Sequence, residues 1–268
     1  MIADELKKKL NRLTEILHDY SPVAAALSGG VDSTFLLKHA RDALGESVVA
    51  VTAAAPNFAP DETEDAVSFC AAEKINHILV GLGDVIMEII AANPPDRCYF
   101  CKKSIFGTLL TLPALEGRTL IDGTNTDDAF DFRPGEKALE ELGIKSPLRE
   151  AGLSKAEIRA AAKEAGLNVW NKPALACLAS RIPYGDEITK AKLRAVYSLE
   201  KLLRASGFVQ VRVRHHGDIA RIEVQPSERE KFFDAEFMDK INEAAQGAGF
   251  VYAALDLKGY RTGSLNPL

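Results

Sequence analysis

A glycine-containing loop near the N-terminus, Ser28-Gly29-Gly30-Val31-Asp32-Ser33, has residue types suited to phosphate binding. It lies between an apolar run and a helical pattern. The glycines let the backbone wrap closely around a phosphate, and the N-terminus of the following helix supplies free N–H groups and a positive dipole. Ser28 and Ser33 add hydroxyl donors, and Asp32 is a candidate ligand for a magnesium ion that bridges phosphates. The loop therefore predicts an anion-binding site. The alternative is a glycine turn that only connects the strand to the helix.

Three of the 4 cysteines have spacing or surroundings that indicate sulfur or metal chemistry. Cys98 and Cys101 form a Cys-x-x-Cys pair at the predicted start of a helix, where thiolates are stabilised. Cys177 lies in an irregular stretch further along the chain. Three cysteines on an iron–sulfur cluster leave one iron open to bind sulfide or substrate, so this set favours a cluster over a zinc site, a redox pair or a purely structural role. Cys70 is predicted to be an inert core residue.

Alternating strands and helices are predicted to position these groups. Apolar runs at 23–27, 48–52, 77–82 and 119–122 are predicted strands. Helices between strands are typical of a parallel sheet, whose ligands gather at the carboxyl ends of the strands. Ser154 with Glu157 predicts a capping box at a helix start. Near the C-terminus, strands at 208–214 and 220–224 are predicted to join through a turn that contains His215 and His216. We therefore predict an α/β domain with a parallel sheet flanked by helices (1–185) and a smaller C-terminal α+β domain (186–268).

Composition and charge exclude several classes of protein. The 268 residues are 47% hydrophobic and 26% charged, which is an ordinary globular composition. A formal charge of −5 argues against a surface that is basic overall and would attract nucleic acid. The first residues mix charges with leucines, unlike a secretory signal, and no apolar run approaches the roughly 20 residues that span a bilayer. We therefore expect a cytoplasmic protein without a membrane or nucleic-acid partner, in which cysteines serve as thiols or ligands.

The loop sequence SGGVDST resembles the PP-loop signature of N-type ATP pyrophosphatases, which have the adenine nucleotide alpha hydrolase-like fold. This resemblance implies that the loop grips the β,γ-pyrophosphate of ATP while the α-phosphate is attacked. The products are an acyl or iminol adenylate and pyrophosphate. Adenylation helps because AMP leaves readily once a nucleophile adds, whereas a carboxylate oxygen is a poor leaving group.

Other segments resemble the LarE-type sulfur transferases: DGTNTDD followed by RPG, SPLREAGLSK, ACLASRIPYG and GYRTGSLN. The resemblance implies an enzyme that converts the carboxylates of pyridinium-3,5-biscarboxylic acid mononucleotide to thiocarboxylates, for the nickel-pincer nucleotide of lactate racemase. It also implies a homo-oligomer and assigns substrate binding and oligomerisation to the C-terminal domain. The rival functions are a PP-loop tRNA thiolase, an ammonia ligase and a non-catalytic adenine-nucleotide sensor.

The LarE-type family has two versions. In one, the cysteine that matches Cys177 gives up its own sulfur. In the other, that cysteine joins a Cys-x-x-Cys pair on a [4Fe-4S] cluster, and the open iron carries sulfide. The presence of Cys98 and Cys101 favours the second version, in which sulfide or another sulfur donor is a partner.

Charged side chains supply candidate contacts for the substrate. Arg212 and Arg214 alternate on a predicted strand and so face the same side, where two guanidinium groups suit a phosphate or a carboxylate; the alternative is a solvated strand face. The family resemblance assigns them to the mononucleotide. Arg181, beside Cys177, is a candidate contact for the adenylate or one half of a structural salt bridge. Three aspartates are candidates for binding magnesium or for capping the helix that follows them: Asp127, Asp128 and Asp131.

Overall fold

The computed structural model describes residues 4–130, 134–173 and 176–261. Asp131, Arg133 and the end of the GYRTGSLN segment lie outside the described residues. The chain divides into two compact units. The first unit is Met1–Ile86 with Asp96–Ala174, and the second unit is Met87–Pro95 with Leu175–Leu268. The division into domains at residue 185 stays a prediction about independently folding parts of the chain.

The first unit is built on a parallel sheet. Its strands are β1 (Val23–Ala26), β2 (Val48–Ala54), β3 (Asn76–Gly81) and β4 (Thr119–Ile121), in the order β3-β2-β1-β4. All three strand pairings are parallel. The helices between residues 4 and 164 are α1 (Asp4–Tyr20), α2 (Val31–Leu44), α3 (Pro60–Ala72), α4 (Gly83–Ile90), α5 (Arg97–Leu110), α6 (Pro134–Glu141), α7 (Pro147–Glu150) and α8 (Lys155–Glu164). The boundary at Ile86 falls within α4, so its last residues belong to the second unit. The predicted parallel sheet flanked by helices is confirmed.

A hydrophobic core fixes the sheet against its helices. Leu17 of α1, Ala25 of β1, Leu37 of α2 and Ile158 of α8 are fully buried in one cluster. Burial of each larger side chain stabilises the fold by about 1.5–3 kcal/mol. The predicted capping box at the start of α8 is also confirmed, because Ser154 Oγ accepts the Glu157 N–H while the Glu157 carboxylate accepts the Ser154 N–H. The core and the cap together hold β1 and the start of α2, between which the glycine loop lies.

The second unit contains a three-stranded sheet. Its strands are β5 (Val211–His216), β6 (Ile219–Val224) and β7 (Tyr252–Leu255), and its longer helices are α9 (Lys190–Ala205) and α10 (Ala235–Gly247). β5 and β6 are antiparallel, whereas β6 and β7 are parallel. The prediction that His215 and His216 are turn residues is wrong: they are the last residues of β5 and pair with Ala220 and Ile219. The turn is shorter than predicted because Gly217 adopts a positive φ of 57°.

Among the described residues, no helix is both long enough and apolar enough to span a bilayer.

Candidate functional site

The glycine loop follows the carboxyl end of the central strand β1 and leads into α2. Its serines fold the loop onto itself: Ser28 Oγ and Ser33 Oγ lie 3.0 Å apart, and the Ser28 N–H donates to Ser33 Oγ over 3.2 Å. Ser33 Oγ also donates to the Gly30 carbonyl over 3.3 Å. The predicted strand, loop and helix are therefore present, and Ser28, Gly29, Gly30, Asp32 and Ser33 come together at the edge of the sheet where ligands bind in such folds.

Gly29 is required by the shape of the loop. Its φ is +76°, and a Cβ on this residue would lie 2.4 Å from the Glu62 carbonyl oxygen. A second glycine, Gly123 after β4, faces the same loop, because its Cβ would lie 2.9 Å from the Ser33 nitrogen. The two positions let neighbouring backbone approach the start of α2 closely.

Replacing Gly29 with alanine is expected to weaken ATP binding at least about tenfold. A left-handed backbone costs an L-residue about 1–2 kcal/mol, and tenfold in affinity is about 1.4 kcal/mol. The clash with Glu62 adds to that cost. Isothermal titration with ATP measures the affinity. Gly45→Ala is the matched control, because Gly45 also has a positive φ but has no neighbouring atom within 4 Å of its Cβ position. Equal ATP affinity in Gly29→Ala and the unmodified protein would contradict this account.

Asp32, in the first turn of α2, has one engaged and one unengaged carboxylate oxygen. Oδ2 accepts from Asn125 Nδ2 and from Lys155 Nζ, each over 3.3 Å. Oδ1 is buried and has no hydrogen-bond partner within the described part of the chain. Burial raises the pKa of Asp32, while the charge of Lys155 opposes this increase. A buried carboxylate oxygen with an open coordination position fits a hard cation such as magnesium.

The aspartates after β4 accept hydrogen bonds from backbone N–H groups. Asp127 Oδ2 accepts the N–H of Lys155, the first residue of α8, over 3.0 Å. Asp128 Oδ2 accepts the Asn125 N–H over 3.0 Å. Asp127 therefore caps a helix, although that helix is α8 and not the next one along the chain. Asn125 and Lys155 are partners of Asp32 that are not predicted from the sequence. The only indication of them is that they lie in the family-like segments DGTNTDD and SPLREAGLSK.

Lys172 also contacts the loop, although no sequence pattern predicts this contact. Its Nζ donates to the Gly29 carbonyl over 2.9 Å and to Asp65 Oδ2 over 2.8 Å. The lysine side chain is mostly covered, whereas Asp65 is exposed to solvent. An ammonium group thus lies against the backbone of the candidate phosphate loop.

Cys98 and Cys101 are the second and fifth residues of α5, which confirms that the pair lies at the start of a helix. Cys98 is exposed and Cys101 is buried, with Asn57 Nδ2 at 4.0 Å from Cys101 Sγ. Cys177, which belongs to the second unit, is half-buried. Within residues 4–130, 134–173 and 176–261, no three His, Cys, Asp or Glu side chains form a metal-binding group. Cys70 is buried, and burial raises its pKa to about 11, as suits an unreactive core thiol.

The three candidate arginines lie close to one another in the second unit and are all buried. Both Arg181 and Arg214 make ion pairs with buried carboxylates, Glu200 and Glu223 respectively, at 2.8 Å. The Arg212 guanidinium lies 5.3 Å from the centre of the Tyr260 ring. Burial and the charge of Arg181 lower the pKa of Arg212 to about 10. The alternative of a solvated strand face for Arg212 and Arg214 is therefore wrong.

The parallel sheet with its flanking helices defines an α/β nucleotide-binding fold. No family model matches the chain. It is 43% identical over 262 residues to an uncharacterized protein of Synechocystis sp., covering 97% of this chain and 98% of that protein. It is 40% identical over 265 residues to the pyridinium-3,5-bisthiocarboxylic acid mononucleotide synthase of Lactiplantibacillus plantarum, covering 97% and 95%. An uncharacterized protein of Methanocaldococcus jannaschii is 30% identical over 259 residues, covering 96% and 98%.

The chain belongs to the LarE-type family of pyridinium-3,5-bisthiocarboxylic acid mononucleotide synthases. The family predicted from the sequence segments is confirmed. Because the named relative is a synthase and matches nearly the whole chain, the prediction of an enzyme is confirmed as well.

Proposed function

We propose that the protein is an ATP-dependent sulfur transferase that adenylates the carboxylates of pyridinium-3,5-biscarboxylic acid mononucleotide and converts them to thiocarboxylates. The observation that carries this proposal is the 40% identity to a synthase named for the bisthiocarboxylic product. The match covers 97% of this chain, so both units have counterparts in that enzyme. A homo-oligomer and a cytoplasmic location stay predictions.

The first half-reaction uses the glycine loop. We assign Ser28, Gly29, Gly30 and Ser33 to the pyrophosphate of ATP, because backbone N–H groups and hydroxyls at a helix N-terminus bind phosphate oxygens. Asp32 would hold magnesium, which neutralises phosphate charge when bound. A carboxylate oxygen of the substrate attacks the α-phosphorus, the bond to the bridging oxygen breaks, and pyrophosphate leaves.

The second half-reaction replaces AMP with sulfur. Sulfide adds to the carbonyl carbon of the acyl adenylate, the bond to the AMP oxygen breaks, and a thiocarboxylate remains. We propose Arg212 and Arg214 as contacts for negative groups of the mononucleotide, since guanidinium groups match phosphate and carboxylate geometry. The ring of Tyr260 restricts the Arg212 side chain from one side.

We propose further that Cys98, Cys101 and Cys177 hold a [4Fe-4S] cluster. Three thiols match the chemistry of such a cluster, and the exposed Cys98 leaves its sulfur accessible for assembly. When bound, the cluster would supply an open iron that takes up sulfide. The alternative is that Cys177 donates its own sulfur once: its thiolate would displace AMP to form a thioester, and loss of the Cα proton with cleavage of the Cβ–Sγ bond would release the thiocarboxylate and leave dehydroalanine.

The overall function is tested with ATP, magnesium, sulfide and the biscarboxylic mononucleotide. We expect pyrophosphate release that depends on the mononucleotide, and a thiocarboxylate product of the corresponding mass. Binding of ATP without pyrophosphate release would favour the nucleotide sensor instead. Pyrophosphate release with tRNA but not with the mononucleotide would favour the tRNA thiolase.

Protein purified without oxygen is expected to contain iron and acid-labile sulfide in amounts that approach one [4Fe-4S] cluster per chain. Cys98→Ala should lose both, because a cluster with fewer cysteine ligands is not retained. Cys70→Ala should keep both, since Cys70 is a buried core residue. Colorimetric iron and sulfide assays measure the content. Absence of iron after careful reconstitution, with sulfur transfer still present, would leave Cys177 as a sacrificial donor.

A further inference from the structure

The turn that carries Cys177 is held by the guanidinium group of Arg181. This side chain is 1% exposed and forms a two-pronged ion pair, in which Nε and Nη2 donate to the two carboxylate oxygens of Glu200 over 2.8 and 2.9 Å. The remaining nitrogen, Nη1, faces the turn. It donates to the carbonyl oxygens of Ala176 and Cys177, the latter over 3.1 Å, and to Ser180 Oγ over 3.1 Å.

A second buried pair holds the other end of the same turn. Arg214 Nε and Nη2 donate to Glu223 Oε2 over 3.0 and 2.8 Å. Its Nη1 donates to the Ser180 carbonyl over 2.9 Å. Backbone carbonyls just before the turn Leu178–Arg181 and within it therefore accept from arginines, each of which is paired with a buried glutamate.

Stability alone does not account for the Arg181 pair. Removing two charges from water costs about as much as their attraction returns, so a buried ion pair is often no better than an apolar pair of equal volume. The pair does fix the orientation of the Arg181 guanidinium, whose donors are held in a rigid planar fork. One edge of the fork is fixed by Glu200, and the other edge then sets the position of the Cys177 carbonyl.

We propose that Arg181, oriented by Glu200, is a positioning residue that holds the Cys177 turn in the geometry needed for sulfur transfer. The inference rests on the proposed function in one respect, namely that Cys177 carries or binds the sulfur. It holds for a cluster ligand and for a sacrificial cysteine alike. A misplacement of about 1 Å at a reacting group costs on the order of 100-fold in rate.

Arg181→Lys tests the proposal because lysine keeps the charge opposite Glu200 but lacks the fork. Glu200 keeps other partners in this variant: Val213 N–H at 3.0 Å and Arg204 Nη1 at 3.2 Å. We expect kcat for sulfur transfer to fall about 100-fold with KM for the mononucleotide nearly unchanged. Pyrophosphate release should stay within about twofold, since the ATP loop belongs to the first unit. Alkylation of Cys177 by iodoacetamide, followed by mass spectrometry, should become at least about fivefold faster as the turn loosens.

Arg204→Lys is the matched control. Arg204 also contacts Glu200, one turn along α9, but its side chain is partly exposed. We expect this variant to leave both alkylation of Cys177 and sulfur transfer unchanged. Should Arg181→Lys fail to fold, Glu200→Gln keeps the shape of the partner while weakening its hold on Arg181, and should shift alkylation in the same direction.

Two results would overturn the proposal. Unchanged alkylation and sulfur transfer in Arg181→Lys would show that the turn does not need the fork. An equal loss of pyrophosphate release and sulfur transfer would instead make Arg181 a contact of the adenylate. Alkylation needs no substrate, so it tests the positioning role even if the mononucleotide proves not to be the substrate.

Discussion

Replacing Asp32 with alanine is expected to lower the rate of pyrophosphate release at least about 100-fold, because a metal ion that neutralises phosphate charge contributes several kcal/mol and each 1.36 kcal/mol is tenfold in rate. The unengaged Oδ1 is the oxygen that we propose as the metal ligand. The variant also removes the carboxylate that faces Lys155 at 3.3 Å, which leaves that ammonium without its ion-pair partner beside the loop. A coupled assay for pyrophosphate at saturating ATP and mononucleotide measures the effect.

Asp42→Ala is the control for this experiment. Asp42 lies on the same helix, α2, but its side chain is largely exposed and pairs with Lys38. Such surface pairs contribute about 0–1 kcal/mol, so we expect wild-type turnover. Pyrophosphate release at the wild-type rate in Asp32→Ala would remove Asp32 from the metal site.

Replacing Cys177 with alanine is expected to abolish thiocarboxylate formation while pyrophosphate release persists. The reason is chemical: Cys177 is required whether it is a sacrificial donor or a cluster ligand, whereas the loop that we propose for adenylation belongs to the first unit. Mass spectrometry of the mononucleotide after reaction with ATP and sulfide detects the product, and a pyrophosphate assay on the same samples detects adenylation.

Cys70→Ala is the control for loss of a thiol. Cys70 is 1% exposed, so its replacement affects packing and leaves sulfur transfer intact. Thiocarboxylate formed by Cys177→Ala at the wild-type rate would mean that sulfur reaches the substrate by another route, and both versions of the cysteine chemistry would fail.

The elements around the glycine loop and the start of α8 could be predicted from local sequence patterns. The apolar run before Ser28 and the helical pattern after Ser33 predicted the strand, loop and helix, because each depends on residues near in sequence. The capping box at Ser154 is local in the same way. Alternation along β5 predicted that Arg212 and Arg214 face one side, but Val211 and Val213 on the other side are buried too, and a two-residue period does not reveal that both faces are covered. The burial of both arginines is seen only in the structure.

Contacts between distant segments could not be predicted. Lys172 reaches the Gly29 carbonyl across a separation of 143 residues, and Arg181 meets Glu200 across 19. Neither pair has a sequence period or spacing that marks it. The prediction of a turn at His215 and His216 was wrong for a local reason. Polar residues beside a glycine are typical of turns, but the positive φ of Gly217 lets the chain reverse after the histidines, so both remain in the strand.

The close fit of Gly29 and Gly123 limits how this enzyme can be engineered. A side chain at either position would meet backbone atoms of Glu62 or Ser33, which cannot turn aside as a flexible side chain would. A saturation library at these two codons should return almost nothing but glycine under selection for activity. Efforts to evolve acceptance of a new carboxylate should therefore leave the ATP loop fixed and diversify the second unit.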